Sequence, residues 1–427
     1  MRFEPSGPLR GTLRPPCDKS ISHRAAIVAA MAEGDTEVSG YLDAADTRST
    51  LDAVRALGAR VEESPGPGGL ELRVHGVGLR GAREAEIDVG NAGTLLRVLP
   101  GWLAGQGRGS WSLDGDESIR RRPVDRVIEP LRLMGGWASA KSDMPPLLIE
   151  GAELSGIEYE LPVASAQVKS CVLLAGLLAE GETTVVEPLP TRDHTERMLA
   201  AAGADLARDG SRITVRPAAG LEPRRVEVPG DLSSAAFWIA AATLVEGSEV
   251  RLEGVGVNPT RDGFLRILGR MGGSLERENE RELGGEPVVD LVVRHAQLSG
   301  TEVAAGEVPL AIDELPLVAL LGCFAGGETT VKGAEELRSK ESDRIEDLAA
   351  ALRPLGAELE TTLEGFAVRG PGGLGGGAMD AAGDHRLALL GAVSGLASKA
   401  GVDVDGFDAA AVSYPEFARD LGELARS

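Results

Sequence analysis

The sequence predicts an α/β (α+β) protein of two lobes, each an inside-out α/β barrel of three β-α-β-α-β-β modules around buried parallel inner helices. Three observations predict it. First, the 427-residue chain repeats one pattern six times, marked by Gly34, Gly107, Gly181, Gly247, Gly327 and Gly401. The period is roughly 65–80 residues, too large for a solenoid unit. Second, each copy opens with a short helix apolar on nearly every side, which has to be enclosed. Third, a helix with one apolar face follows and ends at glycine before another strand.

Taken in order, the inner helices read SISHRAAIVAAMAEG, NAGTLLRVLPGWLAG, SAQVKSCVLLAGLLAEG, LSSAAFWIAAATLVEG, ELPLVALLGCFAGG and DHRLALLGAVSGLASKAG. Five of the six begin with reactive polar residues; the fourth does not. The outer helices show Leu51, Val54 and Leu57, then Val127, Leu131 and Met134, then Ile345, Leu348, Ala349, Leu352 and Leu355 at helical spacing. Gly58, Gly135, Gly203, Gly272 and Gly356 close the outer helices, and strands are expected at 70–75, 146–149, 212–216 and 288–294. The join falls near Val228-Pro229-Gly230-Asp231. Lobe 1 is then residues 13–229 and lobe 2 residues 1–12 with 230–427, the N-terminal strand crossing to pair with lobe 2. The charged stretch 275–286 (LERENERELGGE) is expected as a solvated loop.

Composition narrows the function. Only 3% of residues are aromatic, so Ala, Leu, Val and Ile must build the cores. A net charge of −22 argues against nucleic acid and against an anionic membrane surface as partners. Cys17, Cys171 and Cys323 form no CxxC and no zinc spacing, and the last two lie in apolar helices as core residues. The opening MRFEPSGPLRG has no apolar h-region, and no apolar run is long enough to span a bilayer. A reducing, cytoplasmic setting is expected.

Helix N-termini carry unpaired N–H groups and partial positive charge, so a gathering of them suits anions. The first cluster is Asp18-Lys19-Ser20-Ile21-Ser22-His23-Arg24, with Arg24 one turn beyond Ser20. It suits phosphate, or else is a capped surface helix with solvated charges. The second is Asn91-Ala92-Gly93-Thr94 with Arg97, followed by Arg120-Arg121-Arg122 on the next loop. Gly93 lets a ligand approach the backbone. The third is Ser165-Ala166-Gln167 with Lys169 and Ser170, whose neutral groups suit sugar or cyclitol hydroxyls; Thr191-Arg192-Asp193-His194 adjoins it. Further on come Asp313-Glu314, then Arg338-Ser339-Lys340-Glu341-Ser342-Asp343-Arg344, then Asp384-His385-Arg386. Lys19, Arg24, Arg97, Arg122, Arg192, Lys340, Arg344 and Arg386 occupy equivalent module ends, which implies substrates with several phosphate and carboxylate charges gathered in one interlobe pocket. No P-loop, dinucleotide fingerprint, HExxH or GxSxG is present.

The segments DKSISHRA (18–25), GNAGTLLR (90–97), RRPVDRVIEPL (121–131), SAQVKS (165–170), TRDHTERML (191–199), PGDLSSAAF (229–237), KESDRI (340–345), GDHRLA (383–388) and SYPEF (413–417) closely resemble the 5-enolpyruvylshikimate-3-phosphate synthases, or 3-phosphoshikimate 1-carboxyvinyltransferases. They occur in that family's order over essentially the whole chain, and SAQVKS and TRDHTERML resemble its class II bacterial branch. The resemblance implies transfer of the enolpyruvyl group of phosphoenolpyruvate to the 5-hydroxyl of shikimate 3-phosphate, with release of phosphate and no metal or organic cofactor. It implies that Lys19, Ser20, Arg24, Ser165, Ala166, Gln167, Arg192, Asp313 and Lys340 hold shikimate 3-phosphate. Lys19, Gly93, Arg122, Gln167, Arg344 and Arg386 would hold phosphoenolpyruvate. Asp313 is then the candidate base for the hydroxyl, and Glu341, with Lys19 as alternative, the group for the methyl proton. A monomer sensitive to glyphosate is expected.

Departures from the pattern are Cys17 in place of a glycine before Asp18-Lys19-Ser20, Ala166 for a serine, Glu336 for an asparagine and Val412 for a lysine. Cys17, two residues from Lys19, is expected to be an alkylatable thiol whose modification blocks activity. UDP-N-acetylglucosamine enolpyruvyl transferase is the enzyme alternative, but residues 114–120 (DGDESIR) lack the cysteine typical of that family's loop. A non-catalytic anion-binding clamp is the other; it would lose Asp313, Glu341 or Lys19, and all three are present.

Overall fold

A computed structural model of the chain describes residues 1–370 and 372–425. The chain divides into two compact units. One holds Cys17–Pro229 with Glu282–Glu286, the other Met1–Pro16, Gly230–Arg281 and Pro287–Ser427. They are called below the 17–229 unit and the 230–427 unit.

The 17–229 unit contains three four-stranded sheets, with strand orders 225–227, 35–41, 69–75, 60–66; then 85–88, 110–114, 144–150, 137–141; then 158–160, 183–186, 212–215, 206–209. In each, the first two strands are parallel and the rest antiparallel. A parallel pair needs a crossover, and the inner helices supply it in the second and third sheets. The first sheet takes its entering strand, Arg225–Glu227, from the end of the third module, so the three modules close on themselves. The 230–427 unit follows the same plan with sheets 274–283, 286–294, 249–256, 10–13; 302–303, 328–331, 365–369, 358–362; and 2–3, 402–405, 377–380. There the entering strand of the first sheet is Arg10–Leu13, parallel to Glu249–Leu252.

The inner helices are Lys19–Met31, Gly93–Ala104, Ala166–Gly176, Leu232–Leu244, Leu315–Phe324 and His385–Ala397. Leu232–Leu244 and His385–Ala397 are buried in all but their last residue. An outer helix such as Gly263–Arg270 buries only one side, through Phe264, Leu265, Ile267 and Leu268. All six repeat-marking glycines have φ between +75° and +97°, and those closing the outer helices between +91° and +109°. This left-handed backbone strains any side chain, which is why glycine marks the repeat. At Gly101 the reason is contact. A Cβ there would lie 2.0 Å from the Cys171 carbonyl oxygen, so Gly93–Ala104 and Ala166–Gly176 pack backbone to backbone.

Each unit has its own apolar core. In the 230–427 unit the SYPEF motif has a packing role. Phe417 stacks on Trp238 with ring centroids 4.4 Å apart, and the Tyr414 hydroxyl accepts from Trp238 Nε1 at 2.8 Å and donates to Asp420 at 2.7 Å. Residues 275–286, expected as a loop, instead form the edge strand Ser274–Leu283 and the turn into Glu286–Arg294. The side chains of 277–282 are exposed, but Arg251 pairs with Glu278 at 2.5 Å and Arg294 with Glu276 at 3.1 Å. Cross-strand ion pairs let a run of charges sit on an edge strand.

That sheet has a register irregularity between Leu252 and Val255, held by one buried carboxylate. Asp290 accepts from the Gly254 N–H at 2.9 Å, from Asn279 Nδ2 at 2.8 Å, from Arg251 at 3.0 Å and from Arg281 at 3.2 Å. Burial alone would raise its pKa; the bonds from Asn279, Gly254 and Arg281 outweigh burial and hold it at about 2. A depressed carboxylate stabilises the fold above its unfolded pKa and loses that contribution as pH falls through the folded value. Asp290→Asn should therefore cost about 2 kcal/mol at pH 7, with the gap to wild type narrowing below about pH 4. Urea unfolding at pH 7 and pH 3 checks this; equal stabilities at pH 7 would contradict it.

Candidate active site

In the 17–229 unit, side chains on the first two turns of the three inner helices bond to one another and to Arg192. Gln167 Nε2 donates to Thr94 Oγ1 at 3.0 Å, Arg24 donates to Ser170 Oγ at 3.0 Å, and Arg192 donates to Ser20 Oγ at 3.4 Å. The three helix starts thus lie at one end of the unit, with their partial positive charges together. Asp18 caps the first helix by accepting from the Ile21 N–H at 2.8 Å, which places Lys19 and Ser20 in the opening turn. Lys19 pairs with Asp46 at 3.0 Å. Arg24 is buried; Nε donates to Thr195 Oγ1 at 2.7 Å and a terminal nitrogen to the Ser20 carbonyl at 2.9 Å. Ser165 caps the third helix by accepting from the Val168 N–H at 3.4 Å, and Ala166 opens it.

The second helix starts differently. Its N-cap is Ala92, which offers no side-chain acceptor. Arg122 stands beside it, donating to Asn91 Oδ1 at 2.9 Å and to Ser118 Oγ at 3.0 Å. A Cβ on Gly93 would lie 2.8 Å from an Arg122 nitrogen and 3.1 Å from an Arg97 nitrogen, so glycine here keeps two guanidiniums close to the backbone.

In the 230–427 unit the centre is Arg344, buried at 1% side-chain exposure among three carboxylates: Asp384 at 2.7 Å, Glu341 at 2.5 Å and Asp313 at 3.3 Å. Arg386 reaches the other Asp313 oxygen at 3.5 Å. Burial opposes the charge on Arg344, but Asp384, Glu341 and Asp313 outweigh it and raise its pKa. Asp384 caps the His385–Ala397 helix by accepting from the Arg386 N–H at 2.8 Å. Burial pushes its carboxyl up, yet Arg344 prevails and holds it below the usual range. Lys340 has its pKa lowered by burial, with Asp313 and Glu336 working the other way. The Leu315–Phe324 helix, which follows Asp313, lacks a side-chain cap. Among the six inner helices, the two starts without one are those beside Arg122 and Arg344.

The structure thus places Lys19, Ser20, Arg24, Gly93, Arg122, Ser165, Ala166, Gln167 and Arg192 on one unit, and Asp313, Lys340, Glu341, Arg344 and Arg386 on the other.

A family model described as EPSP synthase (3-phosphoshikimate 1-carboxyvinyltransferase) matches residues 3–421. The chain belongs to the EPSP synthase family. It is 48% identical to the 3-phosphoshikimate 1-carboxyvinyltransferase of Methylococcus capsulatus, over 99% of this chain and 96% of that protein. Identity to the Geobacter sulfurreducens protein of the same name is 46%, over 99% and 98%. A solved structure of EPSP synthase from Acinetobacter baumannii superposes with a TM-score of 0.87 at 41% identity, covering 99% of this chain and 97% of that one. Its fold class and the transferase reading of the sequence agree with this membership.

Several residues at these EPSP synthase helix starts escaped the sequence reading. The fourth start is polar after all: Arg261 donates to Asp231 Oδ1 at 2.6 Å and to Ser233 Oγ at 2.8 Å, and Ser233 donates to buried Glu314. The signal was available, because Thr260-Arg261-Asp262 repeats Thr191-Arg192-Asp193 before the next outer helix. Lys169, grouped with the third polar cluster, is fully buried between Glu187 and Glu196. Cys17 is fully buried too, so the expectation of an accessible thiol is corrected: it packs under Gly40, where a Cβ would lie 3.0 Å from its Sγ.

One group of metal-ligand residue types occurs among the described residues, Asp193, His194 and Glu286, with ligand atoms within 4.8 Å of one another. His194 Nδ1 already pairs with Glu286 at 2.8 Å, and Asp193 accepts from Arg197 Nε at 2.9 Å. No helix among the described residues is long and apolar enough to cross a membrane. Removing a buried cation strands its partners, so Arg344→Met should cost about 3–5 kcal/mol of stability. Chemical denaturation measures it, and a loss below about 1 kcal/mol would contradict the arrangement.

Proposed function

We propose that this chain transfers the enolpyruvyl group of phosphoenolpyruvate to the 5-hydroxyl of shikimate 3-phosphate, with the acids of the 230–427 unit moving the protons. The observation that carries it is the shared cation. Asp313 and Glu341, the two acids that the chemistry needs, are both bonded to Arg344. That one shared guanidinium fixes the orientation of both acids.

The reaction requires two proton movements. Asp313 takes the hydroxyl proton while the oxygen bonds to C2 of phosphoenolpyruvate and C3 gains a proton from Glu341, or alternatively from Lys19. The product of this addition is a tetrahedral ketal phosphate. Elimination returns the C3 proton to the same group and breaks the C2–phosphate bond, releasing phosphate. Arg122, Arg344 and Arg386 hold the carboxylate and phosphate of phosphoenolpyruvate, where planar guanidinium forks suit two oxygens at once. Lys19, Gly93 and Gln167 complete that set. Lys19, Ser20, Arg24, Ser165, Ala166, Gln167, Arg192 and Lys340 hold shikimate 3-phosphate. Residues 13–229 thus form the lobe of the shikimate phosphate, and residues 1–12 with 230–427 that of the acids. This reading includes a monomer working in the cytoplasm and inhibited by glyphosate in competition with phosphoenolpyruvate.

Phosphate release with shikimate 3-phosphate as acceptor, and none with UDP-N-acetylglucosamine, is the expected outcome of the basic assay. In that assay Asp313→Ala should lower kcat by about 10²–10⁴-fold with KM values changed only a few-fold. A variant with near-normal kcat would remove Asp313 as the base.

A further inference from the structure

We propose that Lys169, Glu187 and Thr191 form a buried positioning device that sets Arg192 and Arg24 for the phosphate of shikimate 3-phosphate. This deepens the proposed function and rests on it.

The starting point is a group of charges in an unusual place. Lys169 is 0% exposed on the inner helix Ala166–Gly176. Its ammonium pairs with Glu187, at 1% exposure, and with Glu196 at 2.6 Å. Burying such ions is costly, and apolar residues of equal volume commonly do as well or better for stability. Stability alone therefore does not account for them.

Their contacts converge on one residue. Lys169 Nζ donates to the Thr191 carbonyl at 3.4 Å. Thr191 returns two bonds to Glu187, from its hydroxyl at 2.7 Å and from its N–H at 3.4 Å. Thr191 immediately precedes Arg192. Beyond their loop, in the first turn of the outer helix, the Thr195 hydroxyl bonds to Ser170, the next residue of the inner helix, at 2.6 Å. Consecutive residues of one helix thus clamp Thr191 at the end of the loop and Thr195 in the first turn of the outer helix His194–Ala201. Arg192 lies between the clamps and reaches Ser20 Oγ. Arg24 is held by the far clamp, through Thr195 Oγ1 at 2.7 Å and Ser170 Oγ at 3.0 Å. The helix that makes the clamp is also the one that opens with Ser165, Ala166 and Gln167. One rigid element therefore sets the spacing between the neutral groups for the ring and the two guanidiniums for the phosphate.

The test uses steady-state kinetics and thermal melting of the full chain carrying Thr191→Val, or Lys169→Met with Glu187→Gln, beside Arg192→Gln as control. Thr191→Val removes a hydroxyl without unbalancing charge, so it carries the test if the double variant does not fold. The expected result is a rise in KM for shikimate 3-phosphate of about tenfold or more, with KM for phosphoenolpyruvate within about twofold and kcat largely kept. Both KM values rising together with a lower melting temperature would mean a structural role only and overturn the proposal. So would an unchanged shikimate 3-phosphate KM in Thr191→Val while Arg192→Gln responds. If Arg192→Gln itself has no effect on that KM, the assignment of the phosphate site fails, and this proposal with it.

Discussion

A helix buried on every side still has four N–H groups at its start that need partners, and this constraint organises each unit. Asp18, Ser165, Asp231 and Asp384 meet it with their own side chains. At the Gly93 and Leu315 starts the N-cap brings no side-chain bond. Acceptor side chains therefore collect at one end of the bundle at four of the six starts. Once collected, they sit in the positive field of several helix starts, where anions are favoured.

The same constraint explains why the charges are held so firmly. Arg344 has almost no exposure, and its three carboxylates balance the positive charge of Arg344, Lys340 and Arg386. Such a network fixes the orientation of Asp313 and Glu341 around one guanidinium. In the 17–229 unit, Arg24 donates to hydroxyl and carbonyl oxygens, while Lys19 pairs with Asp46.

Much of this was legible in the sequence, for identifiable reasons. The six apolar helices announced themselves because no residue on them had to face water, and glycine marked the repeat because the backbone turns left-handed there. Residues that act through backbone proximity were also visible: Gly93 is small because Arg122 and Arg97 lie against it. Contacts between distant segments were not. Nothing near Lys169 in the sequence tells that Glu187 and Glu196 enclose it, and the strand at 274–283 hid behind its charges because its partners, Arg251 and Arg294, are on other strands. The polar start at Asp231 was missed because LSSAAF looks bland alone; its arginine, Arg261, arrives from the turn before the following outer helix.

The central claim is that Arg24 and its neighbours carry the charge of a phosphate, not merely the packing of a helix. The most direct measurement is calorimetric titration of shikimate 3-phosphate, and separately of shikimate without the phosphate, into wild-type and Arg24→Gln protein. The account predicts that Arg24→Gln weakens binding of the phosphorylated ligand by about tenfold or more while shikimate binds within about twofold of wild type. Equal weakening of both ligands, or of neither, would contradict it.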